Sequence, residues 1–188
     1  MKLGHLPTGY DHKYTYSHIG YNLKITDWQA SVGLAQLKKL DKFLEIRKNN
    51  AEILLSRLSD LQDYLILPKT TLNCQPSWFG FLISVKENAP FGKLELVTYL
   101  EANGVGTRQL FAGNILRQPM ICENEVELRI EDSRLLNSKN LTDADYESLG
   151  GTEFVMNNTF WVGVSQNNTI ADMEKVSEVI HQFVKKCQ

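Results

Sequence analysis

The sequence is poor in the features that mark several common classes of protein. It has only three cysteines in 188 residues, Cys74, Cys122 and Cys187, and no two stand at a CxxC-like spacing. That argues against a metal or iron–sulfur centre held by this chain alone, and against the disulfide framework of a small secreted domain. The three read as buried or incidental thiols. No apolar run approaches the roughly 18 residues that cross a bilayer, and Met1-Lys2-Leu3-Gly4-His5 has no apolar signal-peptide core. The expectation is a soluble, cytoplasmic chain without a membrane contact. An excess of one charge is also missing: 20 basic against 22 acidic residues leave a formal net charge of −2. Without a basic stripe interleaved with aromatics, nucleic acid is not an expected partner. The phosphate loops, zinc-binding helix and serine elbow that announce many enzymes (GxGxxG, GxxxxGK(S/T), HExxH, GxSxG) are absent. So are internal repeats and any Gly/Ser/Pro linker, and a rigid join between parts is expected.

What is present suffices for a core of one or two small domains, since 43% of the residues are hydrophobic and 22% charged. Residues 1–25 form an irregular segment rich in polar aromatics and histidine: Tyr10, His12, Tyr14, Tyr16, His18 and Tyr21. Such a stretch packs on something else or lines a site. His12 and His18 are six apart in a non-helical segment, open to reading as a metal pair or as surface or interface histidines. Thr26-Asp27-Trp28-Gln29 then has the form of a capping box, with Asp27 favourable in the first turn. Apolar residues recur every three or four positions from Val32 to about Leu58. This predicts one long connecting helix, with Asn49-Asn50 as a place for a kink.

After Pro68 the pattern changes. Trp78 to Val85 predicts a strand, Phe91 to Ala102 a helix stopped by Asn103-Gly104, and Val105 to Leu110 a short strand. Residues 118–150 read as a long excursion with local helix near Thr142 to Leu149. Asn158 to Val164 predicts a second clear strand, and Thr169 caps a last helix with Ile170, Met173, Val176, Val179, Ile180, Phe183 and Val184 on one face. The expected fold class is α+β, a small sheet covered by helices. The expected organisation is a leading segment and connecting helix over residues 1–60, and an α+β domain over 61–188.

The run His18-Ile19-Gly20-Tyr21-Asn22-Leu23-Lys24-Ile25-Thr26-Asp27-Trp28-Gln29-Ala30, followed by Gln36-Leu37 and Arg47-Lys48, resembles the sugar aminotransferase/dehydrase family of fold type I pyridoxal-phosphate enzymes (the DegT/DnrJ/EryC/StrS type). Three further segments narrow the resemblance: Asp11 to His18, Gly106 to Asn114 with Arg117-Gln118-Pro119, and Phe154 to Gly163. They look like the branch of CDP-4-keto-6-deoxy-glucose 3-dehydrases of lipopolysaccharide and O-antigen synthesis. Ordinary sugar aminotransferases have a His-Tyr-Pro-like sequence where this chain has Leu110-Phe111-Ala112-Gly113-Asn114.

The resemblance implies the C-terminal small domain of a homodimeric enzyme that uses pyridoxal or pyridoxamine phosphate to remove the C3 hydroxyl of a CDP-linked 4-keto-6-deoxyhexose. It implies that Asn22 reaches the cofactor phosphate of the neighbouring subunit, a contact suited to a neutral amide donor. Taken by itself, Asn22 also fits a turn before the helix. Arg108 and Arg117 are candidates for the substrate diphosphate, because the guanidinium fork matches phosphate; the alternative for each is a surface or ion-paired arginine. Phe79 is a weak candidate near the cofactor, against the default of core packing for both Phe79 and Phe81. In this branch a histidine of the large N-terminal domain is the catalytic base, and neither His12 nor His18 matches its context. Members that work with a ferredoxin-type reductase carry a [2Fe-2S] cluster, whose ligands these three cysteines do not match. The expectation is a C-terminal portion of a longer enzyme, inactive alone. Two other readings stand beside it: part of a sugar-nucleotide aminotransferase, and a non-catalytic dimerisation or binding module. Glu153-Phe154 departs from an Asp-Arg pair of some members, and residues 120–151 are longer than in shorter ones.

Overall fold

A computed structural model of the chain describes residues 21, 23–111, 113–122 and 142–188. The chain divides into two units, Met1–Leu40 and Asp41–Gln188.

In the first unit, helix α1 (Asp27–Leu37) begins with the expected capping box. The Gln29 N–H donates to Thr26 Oγ1 at 3.4 Å, and the Thr26 N–H donates to Gln29 Oε1 at 2.8 Å. The helix does not continue to Leu58 as its periodicity predicts. It stops at Leu37, and α2 (Leu40–Arg57) starts after Lys38 and Lys39. There the Lys39 N–H turns back to the Gln36 carbonyl, the tighter i→i+3 bond that ends many α-helices. No residue of α1 is buried, so no packing face holds the two segments to one helical register. The expected kink at Asn49-Asn50 is absent, because both residues lie within α2. The Asn50 amide is buried and donates to the carbonyls of Ser165 and Asn168 at 3.1 and 3.3 Å. It ties α2 to the turn before the last helix.

The second unit is built on a four-stranded antiparallel sheet of order β1-β2-β4-β3. Its strands are β1 (Leu65–Ile66), β2 (Gly80–Val85), β3 (Thr107–Gln109) and β4 (Thr159–Gly163). Alternation along β2 sends Phe81, Ile83 and Val85 to one face, and β4 adds Phe160 and Val162. This inner face forms one apolar core with Leu54 and Leu58, with Leu96 and Leu100 of α3 (Lys93–Ala102), and with Met173, Val179 and Ile180 of α7 (Ile170–Cys187). Helix α3 stops as expected: Gly104 takes the left-handed conformation, φ 75°, that glycine adopts without steric cost. The cap of α7 is also as expected, with Thr169 Oγ1 accepting from the Asp172 N–H at 3.2 Å, and its apolar stripe is the buried one.

The excursion carries a one-turn helix α4 (Pro119–Cys122) and α5 (Asp143–Glu147), the latter capped by Thr142. Residues 123–141 lie outside the described residues. Helix α6 (Gly150–Asn158) was not expected. It starts on Gly150-Gly151, the pair least suited to a helix interior, and runs directly into β4. The architecture is α+β, as the order of elements predicts. Among the described residues, no helix is long and apolar enough to cross a membrane. Cys74 is exposed and Cys187 partly so, so neither thiol is fully buried.

Candidate functional site

The outer face of the sheet brings together two of the sequence-predicted residues. Arg108 of β3 stands opposite Trp161 of β4, which stands opposite Leu82 of β2. Directly paired residues of an antiparallel sheet project to the same face, so these three form a row across it. The next pair along is Gly80↔Gly163, two residues without side chains. The Trp161 indole occupies the space over Gly80: a Cβ built there would lie 2.8 Å from indole Cδ2. Phe79, just before β2, packs against Trp161 with ring centroids 5.1 Å apart and planes inclined by 55°.

Phe79 is 66% exposed, whereas Phe81 is buried at 1%. Core packing therefore holds for Phe81 and is wrong for Phe79. The residue precedes the regular alternation of β2, and its ring leans on Trp161. Arg108 is exposed and, among the described residues, has no ion pair. The acid electrostatically coupled to it is Glu101. That carboxylate accepts from the Thr107 N–H and hydroxyl at 2.6 and 2.7 Å, and those bonds hold its pKa below the usual carboxylate range.

Arg117 is placed differently, on a 3₁₀ turn (Ile115–Arg117). Its Nε and Nη2 donate to the two carboxylate oxygens of Glu153, both at 2.9 Å, and its guanidinium lies 4.3 Å from the Tyr146 ring centroid. The ion-paired alternative for Arg117 is the one the structure shows. The buried Asn114 amide donates to the same carboxylate at 2.6 Å, and its carbonyl oxygen accepts from the Leu116 N–H at 3.1 Å. The Arg117 guanidinium, with the Asn114 amide, holds the Glu153 carboxyl below its ordinary range; Glu153 in turn raises Arg117. This bidentate knot fixes α6 to the turn around Gly113, whose φ of 63° lies in the left-handed region. Where some members have an Asp-Arg pair, Glu153 here is the acid that Arg117 holds.

Asn22, like His12 and His18, lies outside the described residues. Among the described residues of the second unit, cavities of about 200, 740 and 300 Å³ open at the surface. None is lined by Phe79, Arg108 or Arg117. The described residues do not by themselves form a bed for pyridoxal phosphate. No group of three or more potential metal ligands gathers among them either.

Residues 4–149 match the model of the DegT/DnrJ/EryC1/StrS aminotransferase family. The chain belongs to that family. Over 183 residues it is 42% identical to the lipopolysaccharide biosynthesis protein RfbH of Salmonella typhimurium, covering 97% of this chain and 38% of the relative. It is 45% identical over 184 residues to the dTDP-4-dehydro-2,6-dideoxy-D-glucose 3-dehydratase of Saccharopolyspora spinosa, covering 98% and 36%. Solved structures show the same fold: an Escherichia coli GDP-4-keto-6-deoxy-D-mannose-3-dehydratase with bound hydrated PLP matches 89% of this chain and 38% of its own, with a TM-score of 0.67 at 24% identity. An aminotransferase from Psychrobacter cryohalolentis matches 97% and 44% with a TM-score of 0.74 at 17% identity. The architecture is therefore that of the C-terminal small domain of the family's PLP-dependent fold, and the chain spans well under half the length of these relatives.

Proposed function

We propose that the chain is the C-terminal portion of a pyridoxal- or pyridoxamine-phosphate-dependent 3-dehydratase acting on a nucleotide-linked 4-keto-6-deoxyhexose, CDP-linked, in lipopolysaccharide sugar synthesis. The observation that carries this reading is the 45% identity, over 98% of the chain, to a relative whose name states that reaction type. The working enzyme is a homodimer, with a ferredoxin-type reductase as electron donor through a cluster held elsewhere. The cofactor, when bound, supplies the electron sink that loosens the C3–O bond. The chain's share is binding and orientation. Asn22 donates its amide to the cofactor phosphate across the dimer. Arg108 offers its guanidinium to the substrate diphosphate. Arg117 is the weaker anion ligand, because Glu153 already occupies its fork.

An aminotransferase shares the fold, and the more distant GDP-perosamine synthase of Caulobacter vibrioides is 23% identical over 141 residues. The 3-dehydratases of Saccharopolyspora spinosa and Yersinia pseudotuberculosis align at higher identity, 45% and 33%, and the former over 98% of the chain, which favours dehydration. If the cofactor site is composite, pyridoxal phosphate added to the purified chain leaves the cofactor's absorption spectrum unchanged. A stoichiometric spectral shift would show that this chain holds a complete site and overturn the reading.

A further inference from the structure

We propose that the open end of the sheet's outer face is a nucleotide platform, in which Phe79 and Trp161 take the base and Arg108 the diphosphate. The inference rests on the nucleotide-sugar reading above and adds to it the place and the chemistry of nucleotide recognition. The outer face has two unlike ends. At one, Ser84 and Thr159 join their hydroxyls at 2.7 Å, and α6 packs on β2 and β4. At the other, the Gly80↔Gly163 pair leaves the sheet bare, and no described element covers Phe79.

The aromatic pair at that end is held rigid. Any side chain at position 80 would strike the Trp161 ring, so glycine there lets the indole lie against the backbone. Phe79 leans on the indole and leaves most of its own surface open. A fixed, exposed ring stacks planar ligands with little loss of entropy. A cation completes the row: Arg108 stands one strand over from Trp161, and the Glu101 carboxylate coupled to it takes its hydrogen bonds from Thr107. A planar ring joined to a dianion, which is the chemistry of a nucleoside diphosphate, complements that arrangement. A purely apolar protein surface complements the two rings but leaves the guanidinium without an anion.

The test titrates the isotope-labelled chain with cytidine diphosphate and, separately, with inorganic pyrophosphate, following backbone amide resonances. The nucleotide is expected to move the amides of residues 79–82, 107–109 and 161–163, and pyrophosphate those of 107–109 alone. Phe79→Ala, a change at an exposed site, should weaken nucleotide binding about fivefold or more while leaving pyrophosphate binding unchanged. Arg108→Gln should weaken both. Unchanged nucleotide affinity in Phe79→Ala overturns the platform, as does a nucleotide that moves none of these amides. Shifts at the same amides that follow protein concentration without ligand also overturn it, because a second copy then covers the face. The dehydratase reading has a separate readout, substrate turnover by a fusion with a large domain. Turnover without the platform shifts sinks only the platform, and shifts without turnover sink only the reaction.

Discussion

At the scale of single residues, Glu153 shows how one carboxylate can organise a turn. Two bonds from Arg117 and one from Asn114 converge on it, and together they depress its pKa. A carboxyl group whose folded pKa lies below its unfolded value of about 4.3 stabilises the fold in its ionised form. That contribution is complete above about pH 4.3 and is lost as the pH falls through the depressed value. Glu153→Gln removes it. In urea titrations between pH 7 and pH 3, the variant should be less stable than the parent at pH 7, and the gap should close towards pH 3. A gap that stays constant across this range would show that the ion pair does not carry the effect. Neither Arg117 nor Glu153 could be matched to the other from the sequence. They are 36 positions apart, and an ion pair at that separation leaves no local period. Phe79 was misread for a related reason: its neighbours fit strand alternation, but it precedes the first paired residue of β2.

At the scale of elements, what could be read from the sequence was whatever a local rule fixes. The capping boxes at Thr26 and Thr169, the stop at Gly104 and the strands around Phe81 and Phe160 each follow from a few adjacent residues. Helix α7 illustrates both halves of its stability, its cap and its stripe. Thr169→Ala removes the side-chain acceptor and should cost about 0.5–2 kcal/mol. Ile180→Ala empties a site with 0% exposure and should cost about 2–5 kcal/mol. Urea unfolding of the two variants should preserve that order. An Ile180→Ala variant no less stable than Thr169→Ala would mean that the stripe packs less tightly than its burial indicates. The elements that the sequence did not reveal depend on distant partners. Helix α6 forms on a poor Gly-Gly start and meets β2 and β4. Strand β1 has two residues and exists through its pairing with Val85 and Ser84. The break between α1 and α2 falls where the apolar period continues but no burial enforces it.

At the scale of the whole molecule, the apolar surface is unevenly used. The inner face of the sheet and three helices share a closed core, yet Trp28 of α1 is 85% exposed, and Val32, Leu34 and Leu37 are exposed with it. The chain spans 38% of the Salmonella typhimurium relative and 36% of the Saccharopolyspora spinosa relative. The proposed role is that of the C-terminal part of a sugar 3-dehydratase. The direct measurement is turnover of dTDP-4-dehydro-2,6-dideoxy-D-glucose by a fusion in which this chain replaces the matching 36% of the Saccharopolyspora spinosa enzyme. Loss of the C3 hydroxyl is the predicted result, with weaker cofactor retention when Asn22→Ala is introduced. A folded, cofactor-loaded fusion that leaves the C3 hydroxyl in place would contradict the account.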